Sequence, residues 1–245
     1  MIKVAVVGAA GRMGATVVRA VEDADDLELA AALDMDDDIS TAAAAGAGVA
    51  VEFTVPASSE ANVLALIDAG LHVVVGTSGW TEDALGRVRE RLEKAPGLGV
   101  IVVPNFALGA VLAARFAEQA APHFESVEVI ELHHPDKVDA PSGTARSTAA
   151  RIAAARAEAG LGDMPDATAS SLDGARGASV DGVPVHSIRL RGLVAHQEVV
   201  LGNPGETLTL RHDSLDRTSF MPGVLLAVRR VADRPGLTVG LDELL

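Results

Sequence analysis

The densest set of groups able to move protons near neutral pH is the run Glu131-Leu132-His133-His134-Pro135-Asp136-Lys137-Val138-Asp139-Ala140-Pro141-Ser142-Gly143-Thr144-Ala145. Two imidazoles and an ammonium at the end of a strand pattern are candidate general acids. Successive strand residues point to opposite faces, so His133 and His134 need not share a role. Ser142-Gly143-Thr144 opens an Ala-rich helix pattern. It offers hydroxyls and N–H groups at a helix N-terminus, a place suited to a carboxylate. Alone, either feature reads as structure: a satisfied histidine, or a plain N-cap. Here both fall within twelve residues, His133 to Thr144, in a loop stiffened by two prolines. His133, His134, Asp136 and Asp139 fit no zinc spacing, and adjacent histidines at a strand end do not converge, so no metal is expected.

A second chemistry sits at the start of the chain. Gly8-Ala9-Ala10-Gly11-Arg12-Met13-Gly14 has the spacing G-x-x-G-x-x-G between a strand pattern and a helix pattern. Such a turn lets backbone N–H groups approach a pyrophosphate at a helix N-terminus. Asp34 lies twenty positions past Gly14, at the end of the next strand pattern, where a ribose hydroxyl partner belongs. Two further turns follow later strands: Gly76-Thr77-Ser78-Gly79, and Val103-Pro104-Asn105-Phe106. In an open α/β sheet, ligands lie at the carboxyl ends of strands, so these segments are the expected walls of a nicotinamide pocket.

The elements that must position these groups read in two rhythms. Strand patterns at 2–7, 27–33, 49–55, 72–75 and 99–103 alternate with helix patterns at 12–23, 58–69 and 82–94, with Pro56 closing the third strand. Alternation with short connections predicts a parallel, doubly wound sheet. The Ala run at 42–45 reads as a loop or single turn. After a helix at 108–121 the rhythm changes to strands at 126–134, 185–192, 196–202 and 207–213, interrupted by an Ala-rich helix at about 144–159. Glycine turns and apolar/polar alternation predict mixed or antiparallel strands with one open face. Residues 160–184, rich in Gly, Asp and Pro, read as a long loop; a helix at 218–231 and a strand at 237–240 follow. The expected organisation is a dinucleotide-binding domain over 1–106, completed by 216–245, and an α+β domain over 107–215.

Composition sets limits. The chain has 245 residues, no Cys, no Tyr and only 2% aromatics, so its core must be aliphatic and no thiol mechanism or Cys-bound metal is available. Its net charge of −14 repels nucleic acid and anionic membranes. With no apolar run of about 20 residues and no signal-peptide pattern, a cytoplasmic chain is expected.

The run 131–145 resembles the signature of the dihydrodipicolinate reductase (4-hydroxy-tetrahydrodipicolinate reductase) family, and the three glycine and proline turns match the family along the whole chain. Gly192–Glu198 and Arg211–Phe220 resemble actinobacterial members in particular, while Ser78 departs from a common Thr but keeps the hydroxyl. The resemblance implies a Rossmann-like domain completed by the C-terminal helix, and a mixed-sheet domain that binds a small dicarboxylate substrate and builds a homotetramer. It implies hydride transfer from NADH or NADPH to a cyclic unsaturated imine dicarboxylate in lysine and diaminopimelate biosynthesis. By position, His133 would be the general acid and Lys137 its assistant. His134, Ser142, Gly143 and Thr144 would bind substrate, with Arg217 a further carboxylate contact. Domain closure is expected, because cofactor and substrate groups fall on different domains. Aspartate-semialdehyde dehydrogenase shares the domain plan but needs a nucleophilic Cys. A catalytically silent dinucleotide sensor would have no use for His133 and Lys137 beside Ser142. Asp34-Met35-Asp36-Asp37-Asp38 places four carboxylates in five residues where a 2′-phosphate would need a cation, so NADH is expected to serve at least as well as NADPH.

Overall fold

The computed structural model describes residues 1–245, which divide into two compact units: Met1–Leu108 with Arg217–Leu245, and Gly109–Asp216.

The first unit is built on a six-stranded parallel sheet. Its strands are β1 (Ile2–Val7), β2 (Leu27–Leu33), β3 (Val49–Glu52), β4 (His72–Val75), β5 (Gly99–Val102) and β11 (Gly236–Val239), in the order β11-β5-β4-β3-β1-β2. Short Val- and Ala-rich strands with no polar alternation are what a sheet covered on both faces requires, and β3 and β5 are buried at every position. The single-turn helix α2 (Thr41–Ala44) lies beside β2, and one face of the sheet (Ala5, Val7, Ala50, Val73, Val75, Val100, Val102) packs against α3 (Pro56–Asp68) and α4 (Glu82–Glu93) through Val63, Leu66, Ile67, Leu85, Val88 and Leu92. Each such side chain contributes about 1.5–3 kcal/mol on burial. On the C-terminal segment, α7 (Met221–Arg230) packs on α1 (Gly14–Glu22), and Gly236–Val239 pairs in parallel with Gly99–Val102. The chain order reverses direction across β1, whose neighbours are β2 and β3. That reversal is the switch point where such sheets bind ligands.

The second unit carries a five-stranded mixed sheet, β10-β9-β6-β8-β7. Its strands are β6 (Ser126–His133), β7 (Ala178–Val180), β8 (Val183–Arg189), β9 (Ala195–Asn203) and β10 (Glu206–Ser214), and α5 (Leu108–Ala120) precedes them. Only β6 and β8 pair in parallel. Val127, Val129, Val185, Val199 and Leu201 meet α6 (Gly143–Glu158) through Ala145, Ala149 and Ile152. The spacing 145, 148, 149, 152 puts one buried stripe of α6 on the sheet, apolar except for Thr148. The opposite face bears Glu128, Ile130, Leu132 and Val200, all half-buried.

Three expectations change. The third strand ends at Glu52, not 55, where its register with β1 and β4 stops. Pro56 therefore opens α3 at its first position, where a missing N–H costs nothing. The stretch 160–184 is not all loop: β7 and the start of β8 form a hairpin around Asp181-Gly182, both at positive φ (49° and 87°). Two residues of that conformation make the turn whose twist matches its strands. The last helix begins only at Met221, after a 3₁₀ turn at Arg217–Phe220.

Candidate active site

In the first unit, the turn after β1 is held from behind. Gly8 and Ala9 donate to the Leu33 carbonyl at 2.8 and 3.0 Å, and Gly11 donates to the Gly8 carbonyl at 3.0 Å. Gly8 has φ +83°, and a Cβ there would lie 2.2 Å from the Phe53 carbonyl oxygen, so only glycine fits. Gly11, Arg12 and Ala10 are exposed, while Ala9 and Met13 are half-buried. Asp34 accepts from the Ala10 N–H at 2.7 Å and the Met35 N–H at 2.9 Å. Those two bonds, Ala10's first, hold its carboxyl below the usual range.

The other two turns meet at the ends of the neighbouring strands. A Cβ on Gly76 would strike the Phe53 ring at 2.1 Å, and that ring lies 5.6 Å from the Phe106 ring, tilted 46°. Val103 and Phe106 are buried, Pro104 and Ser78 exposed, and Asn105 accepts from the Ala107 N–H at 2.9 Å. Thr77 is buried, and its hydroxyl accepts from the Thr54 N–H at 2.8 Å. Its side chain thus ties the turn after β4 to the one after β3. The fully buried Glu52 supports both, accepting from the hydroxyls of Thr54 and Ser59. A glycine cradle at a switch point, walled by two aromatic rings and rimmed by an ionised carboxylate, fits a pyridine dinucleotide.

In the second unit, His133 ends β6, and His134 just beyond it is exposed. His133 Nδ1 lies 2.5 Å from Glu131 Oε2. Burial pushes the His133 imidazole below its usual value; Glu131 pulls it up, and the Lys137 and Arg189 charges add to the downward push. Burial is the largest cause of that fall, and the Lys137 charge a smaller one. The Lys137 ammonium itself lies 2.6 Å from Asp139 Oδ1. The Lys137 ammonium, first, holds the Asp139 carboxyl below its usual range, with a smaller pull from the Gly143 N–H at the start of α6. Ser142 is the N-cap of α6, its hydroxyl accepting from the Ala145 N–H at 3.2 Å; Gly143 is exposed and Thr144 half-buried. His133, Lys137, Ser142, Gly143 and Thr144 are thus brought together. Arg217 is exposed and belongs to the first unit, not to the one that carries His133.

Glu131 and Arg189 are site residues that motif reading passes over. Glu131 is fully buried, two positions before His133 and on the same face of β6. That spacing is the one sequence signal for it. Arg189 pairs with His133 across β6 and β8 and donates to both Glu131 oxygens at 2.8 Å.

Comparison with known proteins agrees along the length. Residues 2–106 match the family model described as dihydrodipicolinate reductase, N-terminus, and residues 109–245 match that described as dihydrodipicolinate reductase, C-terminus. A 4-hydroxy-tetrahydrodipicolinate reductase of Beutenbergia cavernae is 64% identical over 100% of this chain and 98% of its own. That of Streptomyces griseus is 61% identical over the same shares. A dipicolinate-bound dihydrodipicolinate reductase from Paenisporosarcina sp. TG-14 superposes with TM-score 0.90 at 37% identity, covering 100% of both chains.

Proposed function

This chain belongs to the dihydrodipicolinate reductase family, and we propose that His133 donates the proton in its reaction, with Lys137 and the start of α6 receiving the substrate. The activity is the NADH- or NADPH-dependent reduction of 4-hydroxy-tetrahydrodipicolinate in lysine and diaminopimelate biosynthesis. The turns around Gly8, Gly76 and Asn105 would hold the nucleotide, whose nicotinamide would supply a hydride. Loss of the 4-hydroxyl as water leaves a conjugated imine; hydride addition to its ring carbon then gives an electron-rich enamine, which must take one proton to give the product. His133, as imidazolium, is placed to give it.

The substrate is a dianion in an acidic protein. Lys137, exposed His134, and the N–H groups of Gly143 and Thr144 at the helix start are the local groups able to hold its carboxylates. Arg217 is proposed as a further contact from the first unit. Asp139 now takes Lys137, so a substrate carboxylate entering here exchanges partners with it. The observation that carries the reading is the meeting of His133, Lys137 and Ser142–Thr144 at one end of β6. The deciding experiment is turnover of the cyclic substrate with NADH, followed at the nicotinamide absorbance. No oxidation above the substrate-free rate would sink it.

Cofactor choice follows from Asp34. Its carboxyl stays ionised on the Ala10 and Met35 N–H groups, accepts from a ribose diol and repels a 2′-phosphate. NADH should therefore support a kcat/KM at least equal to that of NADPH. Arg12 is the exposed cation of the loop, and Arg12→Ala should lower kcat/KM for NADPH more than for NADH. An NADPH preference above about tenfold in the wild type, worth about 1.4 kcal/mol, would mean that another cation reaches the site.

The open face of the second sheet supports a homotetramer. Ile130, Leu132 and Val200 lie half-buried there, with Ile188 exposed on β8. Sedimentation equilibrium should return the mass of four 25.0 kDa chains. On this reading the enzyme is proposed to work in the cytoplasm.

A further inference from the structure

The carboxylate of Glu131 is fully buried and takes donors on both oxygens. Oε1 accepts from the Ser142 N–H at 3.1 Å and Arg189 Nη2 at 2.8 Å; Oε2 accepts from Arg189 Nη1 at 2.8 Å and faces His133 Nδ1 at 2.5 Å. The guanidinium is pinned in turn, because Nη1 also donates to the Ile188 carbonyl and Nη2 to the Asp139 carbonyl at 2.7 Å. Neither group is free to rotate away from the other.

From this geometry we infer that Glu131 is a positioning residue: it fixes His133 with its Nδ1 protonated, leaves Nε2 as the nitrogen that exchanges the proton, and holds that ring in register with the start of α6. A carboxylate offers only lone pairs, so the nitrogen facing it must carry hydrogen. In the imidazolium, Nδ1–H stays on Glu131 while Nε2–H is donated. The neutral ring left behind is already in the tautomer the carboxylate requires, so no ring flip separates one turnover from the next. The Ser142 N–H on the other oxygen ties the proton donor to the N-cap of α6. The charged groups around the ring are Glu131 on β6, Arg189 on β8, and Lys137 with Asp139 on the following loop. Glu131 alone of these is an anion bonded to it, so its loss must lower the affinity of the ring for a proton.

An amide cannot replace it. Arg189 donates to both oxygens, and the NH₂ of a glutamine would face either a guanidinium N–H or the Nδ1 hydrogen. Glu131→Gln should lower kcat at least about tenfold, and should move the alkaline limb of kcat/KM to lower pH by about one unit or more. NADH affinity should stay within about twofold, since the nucleotide turns lie in the other unit. If kcat falls while the limb stays in place, Glu131 is merely structural and the inference fails. The second measurement needs no variant: ¹⁵N–¹H correlation of the His133 ring in the wild-type protein above its pKa. Protonated Nδ1 with bare Nε2 is expected, and the opposite tautomer overturns the inference. The inference rests on His133 as proton donor, but the tautomer is read without turnover. A chain with the expected tautomer and no reductase activity would therefore sink the functional reading and not this one.

Discussion

His133→Ala should lower kcat by about 10²–10⁴-fold, the range for losing a general acid, with NADH affinity unchanged. The two effects separate because His133 ends β6 in the second unit, while the nucleotide turns follow β1, β4 and β5 in the first. The pH profile sharpens the test. His133 must be protonated to donate, so activity falls as pH rises through its pKa. Burial sets that pKa below the ordinary value of 6.5. In the free enzyme, seen in kcat/KM, the decline should therefore begin on the acid side of an ordinary histidine. A bound dianion favours the imidazolium, so the limb in kcat should lie at higher pH than the limb in kcat/KM. In His133→Ala both limbs should vanish. Turnover within a few-fold of wild type, or a limb that survives the substitution, would assign the proton to another group, with Lys137 the first to examine.

What the sequence discloses about this site follows the range of the contacts. The turn after β1 is legible because its cause is local: glycine spacing, a strand before and a helix after. The N-cap at Ser142 is legible for the same reason, as Pro141 and an Ala-rich run frame it. The dinucleotide family and the two-sheet plan follow from those signals and from strand rhythm. Glu131 and Arg189 are 58 positions apart and meet because β6 and β8 are parallel neighbours in one register, which no spacing encodes. Asp139 illustrates a subtler loss. Its place in the motif is visible, but its ion pair with Lys137 depends on how the loop turns back. The hairpin at Asp181-Gly182 fails differently: the dipeptide is a strong local signal, hidden by a Gly-, Asp- and Pro-rich flank that reads as loop. Thr77 shows the converse. Its place among the turns is readable, while the use of its hydroxyl to hold Thr54 is a contact between strands.

The chain should lose stability steeply between about pH 4.5 and pH 2, and Glu131 should account for a large part of the loss. Burial opposes its charge, but hydrogen bonds from Arg189, Ser187 and His133 outweigh burial and hold its pKa at about 2, against 4.5 when unpaired. A carboxyl whose folded pKa is depressed contributes its full stability above the unfolded value and loses it as pH falls through the folded value. The difference between those two values corresponds to about 3 kcal/mol, more than half of it gone by about pH 3. Many exposed aspartates are also held low by partners, but solvent screens them, so each contributes far less. Removing Glu131 alone would leave the Arg189 charge without its partner and cost stability at every pH. The informative variant is therefore Glu131→Gln with Arg189→Met, which removes both charges. Urea unfolding at about pH 5.5 and about pH 3 should show a smaller pH-dependent loss in the double variant than in the wild type, by about 2 kcal/mol. Equal losses in the two proteins would show that Glu131 titrates near its ordinary value. The hydrogen bonds from Arg189 and His133 would then contribute little to holding its charge.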